Sequence, residues 1–517
     1  MMSKLMTAQK KTTKDNPRNS VTKTDLSRKL KILFIASEAV PFVKTGGLGD
    51  VCGTLPKALK KLGHDVRLVL PRYWAVDRYA WKLTTALAPM GVEMGDRTIW
   101  CEALKGKADG FTVYFIEHEQ YFGRAGLYDD GNWEHPDNLE RFGFFSKAAL
   151  QLAKDIKFRP DIVHAHDWQA ALAPAYLKTV YKNDPFFKKT ASVFSIHNIA
   201  YQGTFKSDQY EFLGLGAENF RQEVFENYQG INLMKGAIFF ADGISTVSPT
   251  YAREILSEPG GNGLSDYLNR RREDISGVLN GADYDHWDPA VDKLLPARYT
   301  ADDLHGKTIC KRVLQEEFQL DIEPKAPVIG VISRFTQQKG FQNLMPVVAN
   351  LFQETPAQMA ILGTGEKWQE DFFRGLPAAY RGRAGAWIGY SNRKAHLIEA
   401  GADFLLVPSL YEPCGLNQMY SLRYGTLPIV RATGGLKDTV VQYEESTGAG
   451  TGFLFYDATP GAILETVKWA VRTYLDRPQH IEILRRRAMR QTFPWSDSAK
   501  HYEAIYQRAR KRRLMWL

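Results

Sequence analysis

Lys44-Thr45-Gly46-Gly47-Leu48-Gly49-Asp50 is a loop that could hold an anion. An apolar run, Ile32-Leu33-Phe34-Ile35-Ala36, precedes it, and apolar residues recur at helical spacing from Val51 to Leu62 after it. Strand, glycine loop and helix together present free backbone N–H groups, and glycine lets a phosphate come close to them. The plainer alternative is a tight turn with a surface lysine. The loop is no dinucleotide fingerprint: Cys52 stands where the third glycine belongs, and Pro71-Arg72 where a ribose-binding acid would close the next strand. No Gly-Lys-Ser/Thr ends it, so it is no Walker loop. A second charged loop is Ser333-Arg334-Phe335-Thr336-Gln337-Gln338-Lys339-Gly340, in which Arg334 and Lys339 supply the charge. Two further loops, Tyr411-Glu412-Pro413-Cys414-Gly415-Leu416-Asn417-Gln418 and Thr433-Gly434-Gly435-Leu436-Lys437-Asp438, read as helix N-termini suited to a diphosphate or to sugar hydroxyls.

Polar residues also collect just after apolar runs: His164-Ala165-His166-Asp167-Trp168, Ser195-Ile196-His197-Asn198 and Leu279-Asn280-Gly281-Ala282-Asp283. Each alone is an ordinary capping or core polar group; in succession at strand ends they favour a sugar or ribose site. His164, His166 and Asp167 resemble a metal motif, but neighbouring residues at a strand end diverge and no Cys/His pair completes a site. Asp283-Tyr284-Asp285 resembles the DxD of metal-dependent sugar transferases, a match short enough to arise by chance.

The elements that must position these residues alternate. Strands are expected over 31–36, 66–70, 111–116, 162–164, 191–196 and 243–247, with helices such as 139–156 and 170–180 between them. This predicts a parallel sheet covered on both faces, with ligands beyond the strands' carboxyl ends. A second alternating unit has strands over 328–332, 359–362, 386–388, 404–407, 427–430 and 452–455. The predicted organisation is a basic disordered arm (1–30), a Rossmann-like domain (31–288), a connector with one amphipathic helix from 301 to 320 (289–325), a second Rossmann-like domain (326–492), and a final helical segment (493–517). Facing the two carboxyl edges across a cleft aims Lys44, Arg334 and Lys339 at one place, which is costly unless an anion joins them. Nucleotide-diphosphate recognition follows.

Bulk composition narrows the rest. The chain has 517 residues, 44% hydrophobic and 24% charged, enough for two cores. Residues 1–31 hold nine Lys/Arg against two Asp, and residues 505–517 five Lys/Arg and no acid. The body between is mildly acidic, so the net charge of +9 is no argument for nucleic acid in a central groove. No run is apolar enough to span a membrane. Four scattered cysteines without a CxxC pair suit a reducing cytosol and argue against zinc.

Seven motifs occur in order: Lys-Thr-Gly-Gly-Leu-Gly-Asp, His-Asp-Trp, His-Asn with Tyr-Gln-Gly, Leu-Asn-Gly-x-Asp, Ser-Arg-x-x-x-Gln-Lys-Gly, Glu-Pro-Cys-Gly-Leu and Thr-Gly-Gly-Leu-x-Asp-Thr-Val. The chain resembles bacterial glycogen synthases and plant starch synthases from about residue 31 to its end. The resemblance implies an α/β fold of the GT-B type, two doubly wound Rossmann-like domains facing across a cleft. It implies retaining transfer of glucose from ADP-glucose to the non-reducing 4-OH of an α-1,4-glucan, without metal or cofactor. Carried over by motif, Lys44 and the Gly46-Gly47-Leu48 backbone hold the donor, with Asp50 near the nucleoside. Arg334 and Lys339 bind the diphosphate, and Glu412 faces the donor glucose in a pocket lined by Cys414, Gly415 and Leu416. His197 and Asp167 lie near the anomeric carbon, Asn280 nearby, and Tyr390 stacks on adenine. The leaving phosphate takes the acceptor proton, so no general base is named.

The sequence departs from the family's habits at Gln169, where His is common, and at Tyr420, where the wider class often has a second Glu. It also departs at Leu410-Tyr411, where Arg-Phe is frequent. Rival readings are a UDP-sugar transferase of the same fold and a non-catalytic glucan-binding scaffold. The charged cleft residues argue against the scaffold, and a phosphorylase would need pyridoxal phosphate, for which no motif is present.

Overall fold

The computed structural model describes residues 29–515 apart from residue 132, so the basic arm, Lys29 and Leu30 excepted, lies outside the described residues. Strands β1 (Lys31–Ile35), β2 (Asp65–Pro71), β3 (Thr84–Met94), β4 (Arg97–Ala108), β5 (Phe111–Glu117), β6 (Ile162–His166) and β7 (Ala191–Ile196) belong to one nine-stranded sheet. A small separate sheet is made by β8 (Thr204–Lys206), β9 (Glu226–Asn227) and β10 (Gly230–Asn232). Strands β11 (Gly243–Thr246) and β12 (Ile275–Gly277) complete the large sheet, in the order β12-β11-β7-β6-β1-β2-β5-β4-β3. Its centre is parallel, and Ile32 to Ile35 of β1 are wholly buried, as expected when helices cover both faces.

The sheet is not wholly parallel, as the alternation predicted. β3 and β4 form an antiparallel hairpin on one edge, joined by a two-residue loop whose Gly95 has φ 57°. Pro89 and Gly91 interrupt β3 in sequence, and an edge strand tolerates both. β12, on the other edge, has only three residues, too few for a periodic signal.

The second unit is built from β13 (Val328–Phe335), β14 (Gln358–Gly365), β15 (Ala384–Ile388), β16 (Phe404–Val407), β17 (Leu427–Arg431) and β18 (Phe453–Phe455). These form an all-parallel sheet in the order β15-β14-β13-β16-β17-β18. The connector's helix is shorter than expected, His305–Glu317, because Asp302 and Asp303 sit in a polar turn before it. The expected helix at 170–180 is two pieces, Asp167–Ala170 and Leu172–Lys178.

The end of the first unit and the connector after it pack on the second sheet's helices. Trp287 is sandwiched between His396 (3.8 Å between centroids, 12° between planes) and Tyr420 (4.2 Å, 5°). Asp292 accepts from His396 Nδ1 at 2.7 Å and from the Tyr424 hydroxyl at 2.6 Å. The final helix, Trp495–Met515, crosses back to the first sheet. Its Tyr502 and Tyr506 are fully buried in the same core as β1, and Ser498 Oγ donates to Leu279 O at 2.7 Å. No helix among the described residues is long and apolar enough to cross a membrane.

Candidate active site

The glycine loop after β1 is organised by a carboxylate that sequence reasoning missed. Buried Glu38 accepts from Thr45 N (2.5 Å), Thr45 Oγ1 (2.7 Å), Gly46 N (3.3 Å) and the Tyr128 hydroxyl (2.5 Å). Its only signal was an acid directly after a strand. A helix, Gly47–Lys61, starts at once. A Cβ on Gly46 or Gly47 would meet nothing within 4 Å, and neither needs a left-handed φ. Neither fold nor neighbours require glycine there, so what the two residues leave is open space before a helix N-terminus. Lys44 pairs with Asp50 at 2.7 Å, and burial raises the Asp50 carboxyl against the pull of that lysine.

The opposite wall is tight. Lys339 Nζ donates to Glu412 Oε2 at 2.6 Å, and Ser409 Oγ donates to the same oxygen at 2.8 Å. A Cβ on Gly434 would lie 1.9 Å from Glu412 O, and one on Gly435 2.0 Å from Cys414 O. Here glycine is required by close approach, and Gly434 also has φ 44°. Gln418 Nε2 bonds the carbonyls of Cys414 and Gly415, fixing the turn that carries Glu412. Burial pushes the Cys414 thiol up to about 12, so it is an inert lining group beside the Asn280 backbone. Both lysines thus have a carboxylate of their own, which relieves the repulsion inferred from sequence. Arg334 is exposed at the end of β13, near enough to Tyr411 to act on it electrostatically.

Between the walls lie the ends of β6 and β7. Asp167 has φ 53°, a strained conformation for a non-glycine residue at a strand end. Its buried Oδ1 accepts the His197 N–H at 2.7 Å, and burial pushes the carboxyl up to about 8. His197 Nε2 meets His166 Nδ1 at 3.0 Å, and burial pushes the His197 imidazole down to about 3, so it is neutral at physiological pH. The rings of the His-x-His motif are used internally. His164 bonds the Tyr506 hydroxyl (2.9 Å) and Ser195 Oγ (2.7 Å). Among the described residues no group of three or more His, Cys, Asp or Glu could hold a metal ion. The carboxylates of the DxD-like triplet diverge, Asp283 to His286 at 2.8 Å and Asp285 to Lys57 at 3.7 Å.

The two halves meet here. Asn198 Nδ2 donates to Gln338 Oε1 at 3.3 Å, and Gln338 Nε2 in turn donates to the Tyr411 carbonyl at 3.3 Å. Cys414, Leu416 and Tyr420 pack on the first sheet's core, close to Asn280 and Asp50. Tyr420, one of the departures noted in the sequence, serves as one side of the Trp287 sandwich. Asn280 is buried, and its Oδ1 has no partner among the described residues. Tyr390 stands apart, 87% exposed just beyond β15.

Residues 31–270 match the starch synthase catalytic domain, and residues 314–487 match glycosyl transferases group 1. The chain is 46% identical to glycogen synthase 1 of Geobacter metallireducens, over 94% of this chain and 97% of that one. The chain belongs to the glycogen and starch synthase family. It is also 44% identical to the glycogen synthase of Anaeromyxobacter sp., over 92% of this chain and 99% of that one. Among solved structures, the catalytic domain of starch synthase IV from Arabidopsis thaliana, bound to ADP and acarbose, is similar with a TM-score of 0.86. Identity is 32%, over 94% of this chain and all of that one. Sucrose-phosphate synthase from Thermosynechococcus elongatus shares the fold, with a TM-score of 0.55 at 18% identity. The fold is thus GT-B, and the activity that of a glycosyltransferase of glycogen or starch synthesis.

Proposed function

We propose that this synthase transfers glucose from ADP-glucose to the non-reducing 4-OH of an α-1,4-glucan, with retention and release of ADP. One observation carries the reading: an open glycine cradle beside Lys44 follows a strand of the first sheet, the Lys339–Glu412 pair and the exposed Arg334 lie at strand ends of the second, and the two sides touch through Asn198 and Gln338. That arrangement suits a diphosphate flanked by a sugar. Lys339 and Arg334 neutralise charge on the leaving ADP, and Lys44 and the Gly46-Gly47-Leu48 backbone hold the donor from the other side, with Asp50 near the nucleoside. Preorganised cations of this kind are worth on the order of 3–4 kcal/mol in a transition state.

Glu412, held by Lys339 and Ser409, faces the donor glucose beside Cys414, Gly415 and Leu416. Asp167 holds the His197 backbone so that this ring meets the sugar, and Asn280 offers its unpartnered carbonyl nearby. The departing phosphate takes the acceptor proton. Tyr390, exposed beyond β15, is the platform for adenine; its exposure leaves a face free for a base to cover. Four buried free thiols suit a reducing cytosol.

The deciding experiment is glucose transfer to a glycogen primer without added metal, from ADP-glucose and UDP-glucose in parallel. Faster transfer from ADP-glucose is expected, with Tyr390→Ala raising the KM for ADP-glucose more than tenfold. Preference for UDP-glucose would overturn the donor assignment. Lys339→Ala should lower kcat on the order of 100-fold in a protein that still folds, at a lowered melting temperature because Glu412 loses its partner.

A further inference from the structure

His166 is buried beside the site, and the reaction as proposed does not use it. On β6, His164 and His166 lie on one face, their rings 4.0 Å apart. His164 has a partner on each nitrogen. His166 has one partner only: its Nδ1 faces His197 Nε2 at 3.0 Å, and its Nε2 is buried with no partner among the described residues. Phe34, His164 and His197 pack around the ring, and no carboxylate among the described residues bonds it. Both imidazoles of the pair are neutral, since burial holds each well below its ordinary range.

Two neutral imidazoles can share this bond in two ways. In one, His197 donates from Nε2, and the proton of His166 must then sit on its Nε2 as a buried N–H without an acceptor. In the other, His166 donates from Nδ1, and its Nε2 carries only a bare lone pair. An orphaned buried N–H is the costlier of the two. We propose that His166 is a positioning residue that locks His197 in its Nδ1–H tautomer, so that His197 presents a hydrogen-bond donor to the substrate. No protein group bonds His197 Nδ1 among the described residues, so that donor remains for an oxygen of the sugar or of the leaving phosphate. The same tautomer bars Nδ1 from taking a proton off the acceptor hydroxyl. The functional half rests on the reading of His197 as a donor-site residue; the tautomer does not.

The test uses the full-length protein labelled with ring-15N histidine. Long-range proton–nitrogen correlation reports the tautomer of each imidazole, and His197 is assigned by the signals lost in His197→Asn. His197 should carry its proton on Nδ1 in the wild type, and the Nε2–H form should appear in His166→Ala. Asparagine places an amide N–H near the position of imidazole Nδ1–H, so His166→Asn should restore the wild-type tautomer. In transfer assays His166→Ala should lose on the order of 100-fold in kcat with little change in donor KM, and His166→Asn should recover most of it. An Nε2–H tautomer in the wild type overturns the proposal without any variant having to fold. Equal kcat in folded His166→Ala and wild type overturns the positioning role. Wild-type transfer by His197→Asn would instead overturn the reading of His197 itself, leaving the tautomer result intact.

Discussion

At the scale of single residues the site is built from groups held against their solution preferences. Asp167 combines a left-handed backbone with a carboxyl pushed up to about 8 by burial, offset in part by the N–H groups of His197 and Asn198. The sign of its effect follows. Between the ordinary carboxylate range and about 8, the folded chain keeps a proton that the unfolded chain has lost. This contribution therefore declines as pH rises through that window, by up to about 1.4 kcal/mol per pH unit, and levels off above it. Asp167→Asn keeps the acceptor for the His197 N–H and has nothing to titrate. Thermal unfolding at several pH values from 5 to 8 should show the variant gaining on the wild type as pH rises. Parallel melting curves would remove Asp167 from the account. Such a residue is visible in sequence as an acid after a strand, but its environment is not. The same holds for Glu38, whose four hydrogen bonds come from residues as distant as Tyr128.

At the scale of elements, glycines of similar appearance do different work. Gly46 and Gly47 face open space, whereas Gly434 and Gly435 back onto the carbonyls of Glu412 and Cys414. Gly46→Ala should therefore leave the melting temperature close to wild type and raise the donor KM. Gly434→Ala should destabilise by about 1–3 kcal/mol through strain at its positive φ and the displaced loop. The measurement is paired unfolding and kinetics; a donor KM unchanged in Gly46→Ala would mean the cradle is empty during catalysis. Both loops were legible in sequence as strand-to-helix turns, because periodicity and glycine placement are local signals. Their difference was not, since it depends on which carbonyl a distant segment brings near. The central strands were legible for the same local reason. The β3–β4 hairpin was not, because Pro89 and Gly91 erase the pattern of an edge strand that its neighbour tolerates. The attachment through Trp287, just before the connector, was equally hidden, since an aromatic sandwich leaves no periodic trace.

At the scale of the whole molecule, two sheets are joined by a connector pinned to the second and a final helix returned to the first. Across the cleft, Thr250 donates its N–H and hydroxyl to Asp438 at 2.7 and 2.6 Å, and Glu254 accepts from Gly434 N at 3.1 Å. The helix Trp495–Met515 buries Tyr502, Ile505 and Tyr506 in the first core. Each such side chain contributes roughly 1.5–3 kcal/mol, so together they rival the net stability of a typical domain. A chain truncated after Pro494 should accordingly lose the first unit to limited proteolysis while a fragment from about 284 to 490 survives. Equal resistance of both halves would show that the helix is dispensable. The returned helix also sets a clock on the ribosome. The sheet that opens the chain lacks part of its core until the last residues are made, more than two hundred positions after its own final strand. At about 5–20 residues per second, that is a wait of roughly 10–50 s with apolar surface uncovered. Throughout that interval the nascent first half is the segment a chaperone has most reason to hold.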